Sequence, residues 1–83
     1  MPTVQYIHNG ATTTRNMVTP KRITSVQHWY KEARKSIPNI PEALIGVVGN
    51  NKWMIEHCET DIKWVKFDLM SGTGERAYIV ILR

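Results

Sequence analysis

His57, Cys58 and Glu59 place an imidazole, a thiol and a carboxylate on consecutive residues, and no other stretch gathers so many reactive types. A thiolate–imidazole pair needs its two side chains within hydrogen-bond reach. The run Lys52–Cys58 (K-W-M-I-E-H-C) predicts a strand, and neighbouring strand residues point to opposite faces. His57 then cannot activate Cys58. The thiol would need His8 or His28 from elsewhere in the fold, and a buried structural cysteine is the stronger expectation.

Metal chemistry fares no better. One cysteine and three separated histidines (His8, His28 and His57) match no ligand spacing of the C-x-x-C or H-x-x-x-H kind, so neither a metal nor a cofactor is expected. Ser71-Gly72-Thr73-Gly74 is glycine-rich like a phosphate loop. Such loops aim a helix N-terminus at the anion, and here the strand-like run Ala77–Leu82 follows instead. A flexible hairpin tip is expected, with Arg76 beside it able to touch a partner. Glu56, Glu59, Asp61 and Asp68 alternate with Lys63 and Lys66, which predicts cross-strand surface pairs rather than an acid/base couple. No catalytic residue is assigned.

The basic residues are the better lead. Eleven Lys and Arg against seven Asp and Glu give a net charge of +4. Lys31, Arg34 and Lys35 share the outer face of a predicted helix, and Arg15, Lys21 and Arg22 lie on an edge strand and on the approach to that helix. If the two clusters meet, they form one electropositive patch, with Trp53 or Trp64 as a stacking platform for bases. The candidate binding residues are Arg15, Lys21, Arg22, Lys31, Arg34, Lys35, Trp53 and Arg76. A solvated helix face is the competing explanation. No RNP1 sequence, KH loop, zinc finger or helix-turn-helix signature is present.

These residues need elements to position them. Thr3–His8 and Ala11–Val18 flank Asn9-Gly10, the strongest short-range signal for a β-hairpin. The Thr-rich second strand is polar enough for a sheet edge. Thr19-Pro20-Lys21-Arg22 breaks the sheet. A helix follows over about 24–37, with Thr24 as N-cap and Gln27 at the capping-box position. Its apolar stripe is Val26, Trp29, Tyr30, Ala33 and Ile37. Pro38 ends it, and Asn39–Glu42 has spacing for a short helical turn. Leu44–Val48 is too short for a full helix and is interrupted by Gly46; its β-branched content favours a strand over a short helix. Gly49-Asn50-Asn51 then turns into Lys52–Cys58. Ile62–Met70 and Ala77–Arg83, joined by Ser71–Glu75, predict a closing hairpin whose second strand is apolar on both faces.

The expected fold is α+β, a single domain over residues 1–83 in the order β-β-α-β-β-β-β. One helix packs on a mostly antiparallel sheet that is curved or a partial barrel. A helix about 10 Å wide covers about two or three strands spaced about 4.8 Å apart, so six cannot lie flat beneath it. The sheet must curl, fold its first hairpin over as a second layer, or present an uncovered face to another chain. A bulge at Trp64-Val65 is expected to bend it by bringing Ile62 and Trp64 into phase with Val65, Phe67 and Leu69.

Size and composition bound the function. A chain of 83 residues buries only about 60–65% of its unfolded surface, so a partner or dimerisation would help it. The single cysteine excludes an internal disulfide, and Met1–Gln5 lacks the basic and apolar regions of a secretory signal. A cytoplasmic protein with no membrane segment is expected. The function expected is stoichiometric, non-enzymatic binding through the basic helix face or a sheet edge. The partner is a protein or nucleic acid with an anionic surface, and a homodimer can form through the uncovered sheet face. An accessory or inhibitory role of the phage or viral type suits the size. The alternative is nucleic-acid binding by Lys, Arg and Trp on a curved sheet. A small nuclease or transferase is a distant third.

Overall fold

A computed structural model of the chain describes residues 2–18, 25–45 and 52–83. Strand β1 (Thr3–His8) turns into β2 (Ala11–Asn16) through Asn9 and Gly10, whose φ angles are 51° and 75°. Both are left-handed, as a two-residue type I′ turn requires. Helix α1 spans Val26–Ser36. Four strands complete the chain: β3 (Ala43–Ile45), β4 (Trp53–Thr60), β5 (Trp64–Ser71) and β6 (Arg76–Leu82).

All six strands form one sheet in the order β2-β1-β6-β5-β4-β3. Every pair is antiparallel except β3–β4, which is parallel. The sheet is open, with β2 and β3 as its edges. The first hairpin extends the sheet and does not form a second layer: β1 pairs with β6 from Thr3↔Leu82 to His8↔Ala77.

The helix covers one face. Trp29, Tyr30, Ala33 and Ile37 are buried against Val4 and Tyr6 of β1, Ala77, Ile79 and Ile81 of β6, and Val65, Phe67 and Leu69 of β5. Period 3.6 in the helix and period 2 in the strands bring these residues onto facing surfaces. Tyr30 and Phe67 meet edge to face at 5.3 Å between ring centroids. Arg83 lays its guanidinium 5.2 Å from the Trp29 ring, covering the core at the end of β6.

Several local expectations shift. The N-cap is Ser25, whose hydroxyl accepts from the His28 N–H at 3.2 Å; Thr24 lies outside the described residues. The helix stops at Ser36, since Ile37 is already extended and Pro38 follows. Asn39–Glu42 makes a turn into β3 and no helix. Ala43–Ile45 is a strand, as the β-branched content suggested, and positions 46–48, like the turns at 19–22 and 49–51, lie outside the described residues. The bulge falls on β4, where the register shifts between Ile55 and His57, and not at Trp64-Val65. Trp64 therefore stays on the face opposite Val65, Phe67 and Leu69, and Ile62 is 87% exposed in the turn before β5.

The Ser71–Glu75 link is tied by a hydrogen-bond cluster centred on Ser71. Ser71 is buried, and its hydroxyl bonds Thr73 Oγ1 at 2.8 Å and accepts from the backbone N–H groups of Thr73 and Glu75.

Candidate functional site

With its stripe turned into the core, α1 directs its polar side toward the Pro38–Glu42 turn and the β3–β4 edge. A groove of about 1320 Å³ opens there. Four cations line it (Lys31, Arg34, Lys35 and Lys52), with Trp53 and Ile55 as an apolar wall and Glu32 and Glu42 as the acids.

The cations are not equivalent. Arg34 donates from Nε to the Ile40 carbonyl at 3.0 Å and lies 3.8 Å from Glu42, so it ties the helix to the following turn. Lys35 donates to the buried Glu32 carboxylate at 3.0 Å, and His28 Nε2 lies 3.5 Å from the same oxygen. Among the described residues, Lys31 and Lys52 have no ion-pair partner. The structure thus brings Lys31, Arg34, Lys35 and Trp53 together and adds Lys52, which sequence reasoning missed. Its signal was its position next to Trp53. Arg15 lies apart on β2, donating to the Thr14 carbonyl at 2.8 Å. Arg76 lies on the outer sheet face, 3.3 Å from Glu56. Lys21 and Arg22 lie outside the described residues.

The reactive cluster dissolves as strand geometry predicts. His57 points outward and lies 2.9 Å from Glu59, whereas Cys58 faces Phe67 and packs half-buried against the core. No metal-binding group of three or more His, Cys, Asp or Glu occurs among the described residues.

A second hollow lies at the far end of the helix-covered face. Tyr6, His8, Ala11, Thr13, Asn39, Pro41, Trp53 and Glu75 line this open depression of about 360 Å³. Three strand spacings, about 14 Å if flat, separate β1 from β4. Yet the His8 and Trp53 rings meet edge to face at 5.5 Å. Two long side chains reaching over a coiled sheet make that contact, and Ala77, paired with His8, leaves them the room. Burial, and secondarily the Glu75 charge, raises the pKa of the Tyr6 phenol. Tyr30 is raised further, chiefly by burial, against a lowering by Arg34. Its hydroxyl donates to the Pro41 carbonyl.

The outer sheet face has no helix over it among the described residues. Tyr78 and Leu82 are 41% and 47% exposed there, beside the half-buried Ile7, Val80, Trp64, Met54 and Met70. Lys66 places its ammonium 4.4 Å from the Trp64 ring. No helix of the described residues is long and apolar enough to cross a membrane.

The chain matches no family model, and no curated protein or solved structure matches it.

Proposed function

We propose that the protein acts stoichiometrically, without catalysis, by binding an anionic macromolecular partner in the groove between α1 and the β3–β4 edge. The observation that carries this reading is the convergence of Lys31, Arg34, Lys35 and Lys52 around Trp53. Two of these cations have no ion-pair partner among the described residues, so their charge is available to a ligand. The partner class favoured is an acidic protein surface. Glu32 and Glu42 interrupt the positive field, which suits a patterned protein face better than a uniform phosphate chain. The accessory or inhibitory role belongs to this reading, since a small domain that only binds can act by occupying its partner. The cytoplasm is the compartment proposed.

Nucleic acid is the second reading, favoured by one observation: the half-buried Trp53 offers an aromatic surface beside the cations, the pairing that single-strand binders use. Capture from lysate with and without nuclease separates the two. A partner retained after nuclease and lost in Lys31→Gln/Lys52→Gln supports the protein reading. Loss of all partners on nuclease treatment supports the second, and partners indifferent to both lysines would remove the groove from consideration.

A further inference from the structure

We propose that the hollow between Tyr6, His8, Trp53 and Glu75 binds an organic cation, a guanidinium or alkylammonium group on an apolar stem. Its volume of about 360 Å³ suits a group the size of an arginine or lysine side chain. Ligand pockets begin at about 300 Å³.

Charge sets the sign of the ligand. The chain carries a net charge of +4, yet among the described residues no Lys or Arg lines this hollow and Glu75 is its one carboxylate. His8 Nε2 lies 3.9 Å from the carboxylate, beyond hydrogen-bond distance. That nitrogen is shielded from solvent and has no hydrogen-bond partner. Among the described residues the carboxylate has no hydrogen-bond donor.

The walls fit the same ligand. Tyr6 and Trp53 contribute aromatic rings, and His8 packs between them, 6.1 Å from Tyr6 and 5.5 Å from Trp53. Indole and phenol rings attract cations through the negative potential of their faces. Tyr6, Thr13 and Asn39, which also line the hollow, carry oxygen acceptors. A guanidinium answers this set with five N–H donors in a plane.

Sequence position hid the site. His8 and Glu75 flank two different hairpin turns, and only the β1–β6 pairing brings them together. The groove at the β3–β4 edge is lined by four cations, so this site is a separate binding function that shares Trp53 and Pro41 with it.

The test is an NMR titration of the whole chain, following the Trp53 indole N–H and the His8 ring. The probes are Nα-acetyl-arginine amide and Nα-acetyl-lysine amide. Nα-acetyl-citrulline amide serves as the neutral isostere and sodium acetate as the anion control. The cations should shift these resonances saturably, with citrulline amide weaker by about tenfold. Glu75→Gln should weaken arginine amide by about tenfold while the melting temperature holds, because the side chain is half exposed and makes no close bond. Trp53→Leu keeps an apolar wall and removes the ring, and should weaken it by a similar factor. A pentapeptide with a central arginine distinguishes the source. Tighter binding than the free amide marks a side chain of a protein partner, and exclusion of the peptide marks a small free cation. Absence of saturable shifts, equal binding of citrulline amide, or indifference to Glu75→Gln would each overturn the proposal. None of these outcomes depends on Lys31 or Lys52, so failure here leaves the groove reading standing, and the converse holds.

Discussion

Lys35 Nζ lies 3.0 Å from a carboxylate oxygen of Glu32, three residues earlier on α1, and Glu32 is only 5% exposed. The helix thus keeps a neutralising charge beneath its own basic face. Glu32→Gln and Lys35→Gln should move anion binding in opposite directions. Glu32→Gln should tighten a polyanionic probe such as heparin and Lys35→Gln should loosen it. Glu32→Gln should also cost about 1–3 kcal/mol of stability, because a buried ion-pair partner is lost. Calorimetric titration of both variants checks the signs, and parallel changes would remove Glu32 from the groove's electrostatics.

Lys31 and Lys52 give a salt-dependence prediction. If both contact phosphates, Lys31→Gln/Lys52→Gln should flatten the slope of log affinity against log salt by about 1.4 units on single strands. Arg34 is left out because its bond to Ile40 is structural. A slope unchanged on oligonucleotides would exclude the nucleic-acid reading.

Tyr30 gives the pH prediction. Burial raises its pKa well above the ordinary phenol value, so the unfolded chain releases a proton that the folded chain retains. Stability is full below about pH 10, where both states are protonated, and falls as pH rises above it. Tyr30→Phe should cost about 1–2 kcal/mol at neutral pH, because the Pro41 carbonyl loses its donor. The variant should also show a shallower alkaline decline. Urea denaturation at pH 7, 9, 10 and 11 measures both effects, and identical declines would show that Tyr30 ionises freely.

Trp29 packs at the centre of the helix stripe under the Arg83 guanidinium. Trp29→Ala should cost about 3–5 kcal/mol, most of the stability of a domain this small. The cooperative thermal transition should disappear. A melt within a few degrees of the native chain would mean that the contacts of Trp29 contribute little.

Tyr78 and Leu82 motivate a self-association prediction. The outer face carries both charge signs, with Lys66 and Arg76 near Glu56, Glu59 and Asp68, so it is electrostatically suited to meet a copy of itself. A sheet-on-sheet dimer at micromolar concentration is expected. Sedimentation should show it, and Leu82→Glu should return it to monomer. A native chain monomeric at high concentration would exclude it.

Local signals in the sequence were strong where one residue type decides the geometry. Asn9-Gly10 specified the first hairpin, and the Trp29/Tyr30/Ala33 spacing specified the buried helix face. Tyr78 and Leu82 alternating with Ile79 and Ile81 revealed a strand apolar on both sides. Features set by competition between neighbours were less legible. Thr24 and Ser25 are both good capping types, and the hydroxyl that accepts from His28 N–H is that of Ser25. The bulge left no sequence mark at Glu56, because register is decided by how β4 meets β5. Long-range convergence left little mark beyond the adjacency of Lys52 and Trp53. Lys52 joins the helix lysines, and His8 reaches Trp53 and Glu75, only through the strand order.

That strand order has a consequence for biogenesis. Strand β6 occupies the middle of the sheet, between β1 and β5, although it is the last strand in sequence. Until the ribosome has released residues 76–82, β1–β2 and β3–β4–β5 are two fragments with facing unpaired edges. Thr3 finds its neighbour Leu82 only after every residue between them has emerged. Ordering so distant a pairing is entropically costly and slow. Premature pairing of the free β1 edge with another chain is the hazard at that stage. Truncation before β6 should therefore yield aggregates and not a smaller folded domain.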